Sequence, residues 1–274
     1  MKKTLLILSI ISGCSFFASA QSLDIGLKGG DASTFLLNGN VSNTGNEENY
    51  NSTMSGVYGL HLELNFIGGT GIEFEVISES FNQKYNGTFE NDGYTVNNGP
   101  YTPPSSAYTP FINNESYTSE TKLSEIKFPL LFHFQTIGGF AFEIGPELAT
   151  ISNATYSATF SGEPPAVLGG VQSLSYGVKN DFASSNMLGV IGIGWNFKLI
   201  PSGKLYLLAD LRFEYGFTDL KGVDGMGQNL ASGSDLYSSS SKTYWTYSSY
   251  SGTHSAEASL SVGLFYRLNL LPKI

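Results

Sequence analysis

The sequence predicts an all-β chain: a closed, eight-stranded, antiparallel up-and-down transmembrane β-barrel. Three observations carry that expectation. Apolar and polar residues alternate with period two in eight separate runs, as in strands whose two faces meet different surroundings. The connections between these runs alternate between tight, glycine-containing turns and long polar segments. Only 14% of the 274 residues are charged, against about a quarter in an ordinary soluble domain. With 41% hydrophobic residues, 19 Phe and 16 Tyr, the chain is too apolar for a disordered one. It also lacks the runs of about 20 apolar residues that a helical membrane protein needs.

Residues 1–20 read as a cleaved signal peptide. Lys2 and Lys3 make a basic end, residues 5–11 an apolar run extended by Phe16 and Phe17, and Ala18-Ser19-Ala20 a small-residue cleavage site. A competing reading takes Ile11-Ser12-Gly13-Cys14 as a lipoprotein box, but the apolar run before it is very short. Cutting after Ala20 removes Cys14, the single cysteine, so residues 21–274 can hold neither a disulfide nor a thiolate site. It also removes Lys2 and Lys3, leaving 12 of 14 basic residues against 23 acidic ones and moving the net charge from -9 to -11. Such a balance excludes nucleic acid, whose phosphates need basic patches.

The first run sets Leu23, Ile25 and Leu27 against Asp24, Gly26 and Lys28. The second alternates Tyr58, Leu60, Leu62, Leu64 and Phe66 with Gly59, His61, Glu63 and Asn65. In the third, Ile72, Phe74 and Val76 oppose Glu73, Glu75 and Glu79. The fourth interleaves Ile126, Phe128, Leu130, Phe132 and Phe134 with Glu125, Lys127, Pro129 and His133. The fifth sets Phe140, Phe142, Ile144 and Leu148 against Ala141, Glu143, Gly145 and Glu147. In the sixth, Met187, Ile191, Ile193, Trp195 and Phe197 oppose Gly192, Gly194, Asn196 and Lys198. The seventh pits Leu205, Leu207, Leu211, Phe213, Tyr215 and Phe217 against Asp210, Arg212 and Glu214. The last opposes Ala256, Ala258, Leu260, Val262, Leu264, Tyr266 and Leu268 to Glu257, Ser259, Ser261, Gly263 and Arg267.

Residues 67–70, 137–139 and 200–203 are the tight turns; about 37–53, 86–120, 152–179 and 219–253 are the long segments, rich in Asn, Ser, Tyr, Gly and Pro. Rims that differ in this way suit an outer-membrane barrel, with short periplasmic turns and long extracellular loops. Alternation alone does not say which face is inside. The apolar faces are too bulky and aromatic to fill an eight-stranded interior together. The opposite faces carry Gly and opposite charges, and across the middle of runs two to eight no Asp, Glu, Lys or Arg takes the apolar parity. An Arg or Lys facing lipid at mid-bilayer costs about 2–4 kcal/mol. Asp31 breaks the pattern in run one, and either a bulge at Gly29-Gly30 or an exit from the hydrocarbon is expected there. Aromatic girdles are expected at the short-turn ends (Phe66, Phe74, Phe140, Trp195, Phe197, Tyr266) and at the long-loop ends (Tyr58, Phe81, Tyr85, Tyr215, Phe217).

Residues 25–30 (IGLKGG), 123–131 (LSEIKFPLL), 142–147 (FEIGPE), 192–195 (GIGW), 211–217 (LRFEYGF) and 262–268 (VGLFYRL) resemble the porin-family, PorT-like outer-membrane β-barrel domain. The resemblance implies an eight-stranded barrel over residues 21–274, similar in plan to the OmpA and OmpX barrels, in the bacterial outer membrane after passage through the periplasm.

The polar parity predicts an ion-pair network filling the lumen: Glu63, Glu73, Glu75, Glu125, Lys127, Glu143, Glu147, Lys198, Asp210, Arg212, Glu214, Glu257 and Arg267. Arg212 and Arg267, the two arginines of the chain, suit planar bridging of several carboxylates. A cation-lined path competes with that reading, but eight strands leave room for little beyond side chains. His61, His133 and His254 do not cluster by spacing, so no metal site is expected. No nucleophile motif such as G-x-S-x-G is present, so neither catalysis nor a cofactor is expected. Tyr94, Tyr101, Tyr108, Tyr117, Tyr237, Tyr244, Trp245, Tyr247 and Tyr250 are the candidate loop-binding aromatics. The expected partners are outer-membrane lipid and, through the loops, an extracellular ligand or envelope protein. The expected role is structural or adhesive, with narrow-pore transport or accessory work in protein secretion as rivals.

Overall fold

The computed structural model describes residues 20–42, 49–89, 115–161, 173–221, 237–238, 241–242 and 251–270. In chain order the strands are β1 (Ser22–Asn38), β2 (Asn49–Asn51), β3 (Met54–Asn65), β4 (Thr70–Phe89), β5 (Glu115–Gln135), β6 (Phe140–Ser161), β7 (Ser173–Gly177), β8 (Ser185–Lys198), β9 (Leu205–Gly216), β10 (Tyr237–Ser238), β11 (Ser241–Lys242) and β12 (Thr253–Asn269). Eight of them pair antiparallel in the order β1-β3-β4-β5-β6-β8-β9-β12, and β12 returns to β1. The short β2 adds to β4, β7 adds to β6, and β10 pairs with β11. Among the described residues no helix is long and apolar enough to cross a membrane.

Registered partners lead once round the wall from Leu23 through Leu64, Ile72, Phe132, Ile144, Ile191, Phe213 and Ala258 and back to β1 at Ser33, ten residues past the start. A stagger of that kind tilts the strands by roughly 35–45° and closes the sheet. At the short-turn rim, Gly68, Gly69, Gly139 and Gly203 take φ of 83°, 78°, 90° and 66°. This left-handed backbone lets a tight hairpin follow the strand twist.

Polarity runs outward-apolar across the wall. Phe132 and Leu260 are 56% and 62% exposed on the outer surface, whereas Glu73 and Glu143 are fully buried inside. A continuous apolar outer belt of this kind has no place on a soluble monomer. It is paired with aromatic contacts near the short-turn rim, where the Trp195 ring lies 5.9 Å from that of Phe140.

Strands β4, β5 and β6 have 20, 21 and 22 residues, about twice the 9–11 or so that a tilted strand needs to cross a bilayer. Much of what the sequence suggests as loop is therefore strand: β1 continues to Asn38, β4 to Phe89 and β6 to Ser161, while β5 begins at Glu115. Along this outer extension the two faces exchange character. Phe81, Tyr85 and Leu123 point inward and are buried, while Lys84, Lys122 and Thr118 face outward. The expected girdle positions of Phe81 and Tyr85 are thus corrected. Both keep the inward parity of Glu73 and Glu75, because the β4 ladder continues unbroken past them.

One bulge marks the change. Glu125 pairs with Ile151 and Ser124 with Asn153, so Ser152 is left over on β6. Inward parity on β6 thereby moves from Ala149 and Ile151 to Ala154, Tyr156 and Ala158, all buried. At Gly29-Gly30 there is no bulge, since both glycines pair regularly with Val262 and Ser261. Asp31 instead faces outward nine residues above Ser22. At about 3.4 Å per residue and about 40° of tilt it stands roughly 23 Å up, close to the top of a roughly 25 Å apolar band.

Candidate functional site in the barrel lumen

The lumen is filled in layers. At the short-turn floor Arg267 on β12 forks onto its registered neighbour Asp24 on β1, with Nε 2.7 Å from Oδ1. Its Nη1 donates to the Tyr206 hydroxyl at 3.2 Å, and the guanidinium carbon lies 4.4 Å from the centre of that ring. Above it, Arg212 on β9 reaches across the lumen to β4 and along the wall to β6. Its guanidinium pairs with Glu73 and Glu75 on β4 and with Glu143 on β6, where Nε donates to Oε2 at 3.0 Å. Lys28 on β1 bridges Asp210 and Glu75, the latter at 3.3 Å. Asp210 also accepts from the Ser261 hydroxyl.

Nearer the outer end, Lys127 on β5 gathers Glu79 at 2.6 Å, Glu214 at 2.8 Å, Glu147 at 3.9 Å and Glu257. Glu79 further accepts from Ser55 at 2.8 Å. Glu125, buried beside this layer, keeps one oxygen without a hydrogen bond. Buried carboxylates need partners of opposite charge, and here Arg212 and Lys127 each serve several of them, Lys28 two and Arg267 one. The topology makes that reach available: β9 lies opposite β4, and β5 opposite β12, in a ring of eight.

An apolar lid closes the outer extension. Leu36, Phe81, Tyr117, Leu123, Ile151 and Tyr156 form one buried cluster. Tyr117 is therefore not a loop aromatic; it stands on β5 at inward parity and packs within the lid. Lys198 keeps lumen parity but is exposed at the short-turn end of β8, and no ion pair to it is formed among the described residues. Tyr237 lies in β10, while Tyr94, Tyr101, Tyr108, Tyr244, Trp245, Tyr247 and Tyr250 fall outside the described residues.

Two of the three histidines come together, contrary to what their spacing suggests. His61 on β3 has Nδ1 2.9 Å from Glu75 Oε1 and Nε2 3.4 Å from Glu63 Oε2. His133 on β5 has Nε2 3.4 Å from Glu63 Oε1. Strand pairing is the cause: Glu63 faces Glu73, His61 faces Glu75, and His133 faces both Gly71 and Glu143. His254 stays apart at the outer end, with Nδ1 3.1 Å from the Gly216 carbonyl. Phe265 is a further lumen residue that the alternation did not single out; its ring packs 4.3 Å from that of His61. The signal was present in its parity, shared with Arg267 and Gly263.

The family described as "outer membrane protein beta-barrel domain" matches residues 19–222. No curated protein matches the chain. Among solved structures, Neisserial surface protein A is 11% identical with a TM-score of 0.36, covering 88% of this chain and 95% of its own. The attachment invasion locus protein Ail of Yersinia pestis is 12% identical with a TM-score of 0.35, covering 89% and 98%. The outer membrane protease OmpT of Escherichia coli is 10% identical with a TM-score of 0.33, covering 90% and 96%.

Proposed function

The chain belongs to the outer membrane protein β-barrel domain family, and from that premise we propose that it is a sealed surface barrel with a structural or adhesive role. In this reading the membrane part is an anchor. Binding belongs to the outer extension and to the segments of about 43–48, 90–114, 162–172 and 222–250 that join it, where Tyr is interspersed with Ser, Asn and Pro. One observation carries the proposal: the interior is blocked at successive levels by the Arg212 and Lys127 clusters and by the apolar lid, while β4–β6 continue far beyond a bilayer's needs. A filled lumen conducts nothing, and a projecting, polar-faced wall offers surface to a partner.

Single-channel recordings of the purified barrel in planar bilayers test this. No steady conductance is expected; a steady cation current would instead favour the narrow-pore alternative, which the surplus of lumen carboxylates supports. A pull-down with the barrel held in detergent should capture a partner that is lost when residues 90–114 are shortened. The PorT-like motifs support a second reading, accessory work in protein secretion. Under it, deletion of the protein should alter the proteins found in the medium.

A further inference from the structure

We infer that His61, Glu63, Glu73, His133 and Glu143 form a lumen site for a divalent first-row transition cation of the Zn²⁺ type. Two sets, His61-Glu63-Glu73 and Glu73-His133-Glu143, each bring one potential ligand atom per residue within 4.8 Å of the others, and Glu73 belongs to both. All five side chains are buried.

Five buried atoms without a hydrogen bond lie in this cluster, as others do at Glu79, Glu125 and Glu147 in the Lys127 layer. Glu63 Oε1, Glu73 Oε2, Glu143 Oε1 and both ring nitrogens of His133 are buried without a hydrogen-bond partner. Such groups are costly to leave unpaired. The other oxygens of Glu73 and Glu143 are taken by Arg212, so the guanidinium holds both carboxylates in place and leaves their second oxygens open to a ligand. His61 places Nδ1 on Glu75 at 2.9 Å, the outer-shell carboxylate contact that orients an imidazole for metal binding through its other nitrogen. That nitrogen, Nε2, lies 3.4 Å from Glu63 Oε2, and His133 Nε2 lies 3.4 Å from Glu63 Oε1. With metal–ligand bonds of about 2.0–2.2 Å in tetrahedral array, neighbouring ligand atoms stand roughly 3.3 Å apart.

Charge points the same way. Three glutamate pairs face one another directly across strands: Glu79 with Glu125, Glu214 with Glu257, and Glu63 with Glu73. Like charges so placed repel. Lys127 reaches the first two pairs and Arg212 reaches the third through Glu73, so at Glu63 itself the ion-pair partners are imidazoles. A dication adds positive charge at Glu63. Two imidazoles with carboxylates and no thiolate suit zinc and its neighbours, rather than the all-oxygen preference of Mg²⁺ or Ca²⁺.

The test uses the full barrel refolded in detergent and stripped with chelator. Titrated with Zn²⁺ in a calorimeter, it should take up at least one equivalent; titrated with Co²⁺, it should develop visible d–d absorption that Zn²⁺ displaces. His133→Gln and Glu63→Gln should each weaken binding at least tenfold, while His254→Gln, far from the cluster, should leave it unchanged. Heat-dependent migration in gels shows which variants fold. Where a lumen variant does not fold, the Co²⁺ spectrum and Zn²⁺-induced shifts of the imidazole NMR signals in the unaltered barrel decide. Substoichiometric uptake by the folded, unaltered barrel, or full-affinity uptake by folded His133→Gln, would overturn the site. Neither result bears on whether the loops bind a partner, which is read in the pull-down alone.

Discussion

Arg212 stands where a single side chain has the largest consequence. It is fully buried, and Glu73, Glu75 and Glu143 all depend on it. Removing one member of a buried ionic group leaves the rest uncompensated, at about 3–5 kcal/mol. Arg212→Met should therefore lower unfolding stability by about that amount, read from urea titration in detergent or lipid vesicles. Arg267→Met should cost clearly less, because its side chain is 21% exposed and water replaces part of the lost interaction. Equal losses for the two would contradict the layered account. Parity alone located these arginines in the lumen. It could not say which acids each would meet, since that depends on height along the barrel, and height depends on register. Lys198 shows the difference: its side of the strand was legible, but its place beside open solvent was not.

At the scale of the strand, β5 passes from lipid to water along one continuous ladder. Leu130 faces outward, 48% exposed, about midway up the apolar belt, whereas Thr118 faces outward twelve residues further on, in the extension. Leu130→Arg should destabilise the barrel by about 2–4 kcal/mol, and Thr118→Arg by about 0–1 kcal/mol. Refolding equilibria in vesicles measure both, and comparable penalties would place the bilayer elsewhere. The eight alternating runs made the membrane part of each strand readable. The extension was not readable, because its faces invert to polar-out and apolar-in and because Ser152 shifts the phase on β6. A period-two pattern that changes sign and slips by one residue looks, along the chain, like loop.

For the whole molecule, the ring of eight strands closes through the β1–β12 pairing and leaves its apolar residues on the outer surface. The refolded chain should accordingly stay dispersed only with detergent or lipid. Sedimentation after dilution below the micelle concentration should show aggregation, and a discrete monomer without surfactant would refute the orientation. The closed ring also explains how so few cations serve so many carboxylates. Strands distant in sequence, such as those carrying Lys127 and Glu257, face one another across a narrow interior.

The amino-acid sequence by itself determined the class and, along the eight alternating runs, the side of each strand that faces outward, because a strand repeats every two residues and lipid rejects charge. Only the tertiary structure decided which interior groups touch, that His61 and His133 share Glu63, and that aromatic residues cap the lumen. Those outcomes follow from shear, register and a one-residue bulge. They are set by pairing between strands far apart in the chain, which no pattern within a single strand encodes.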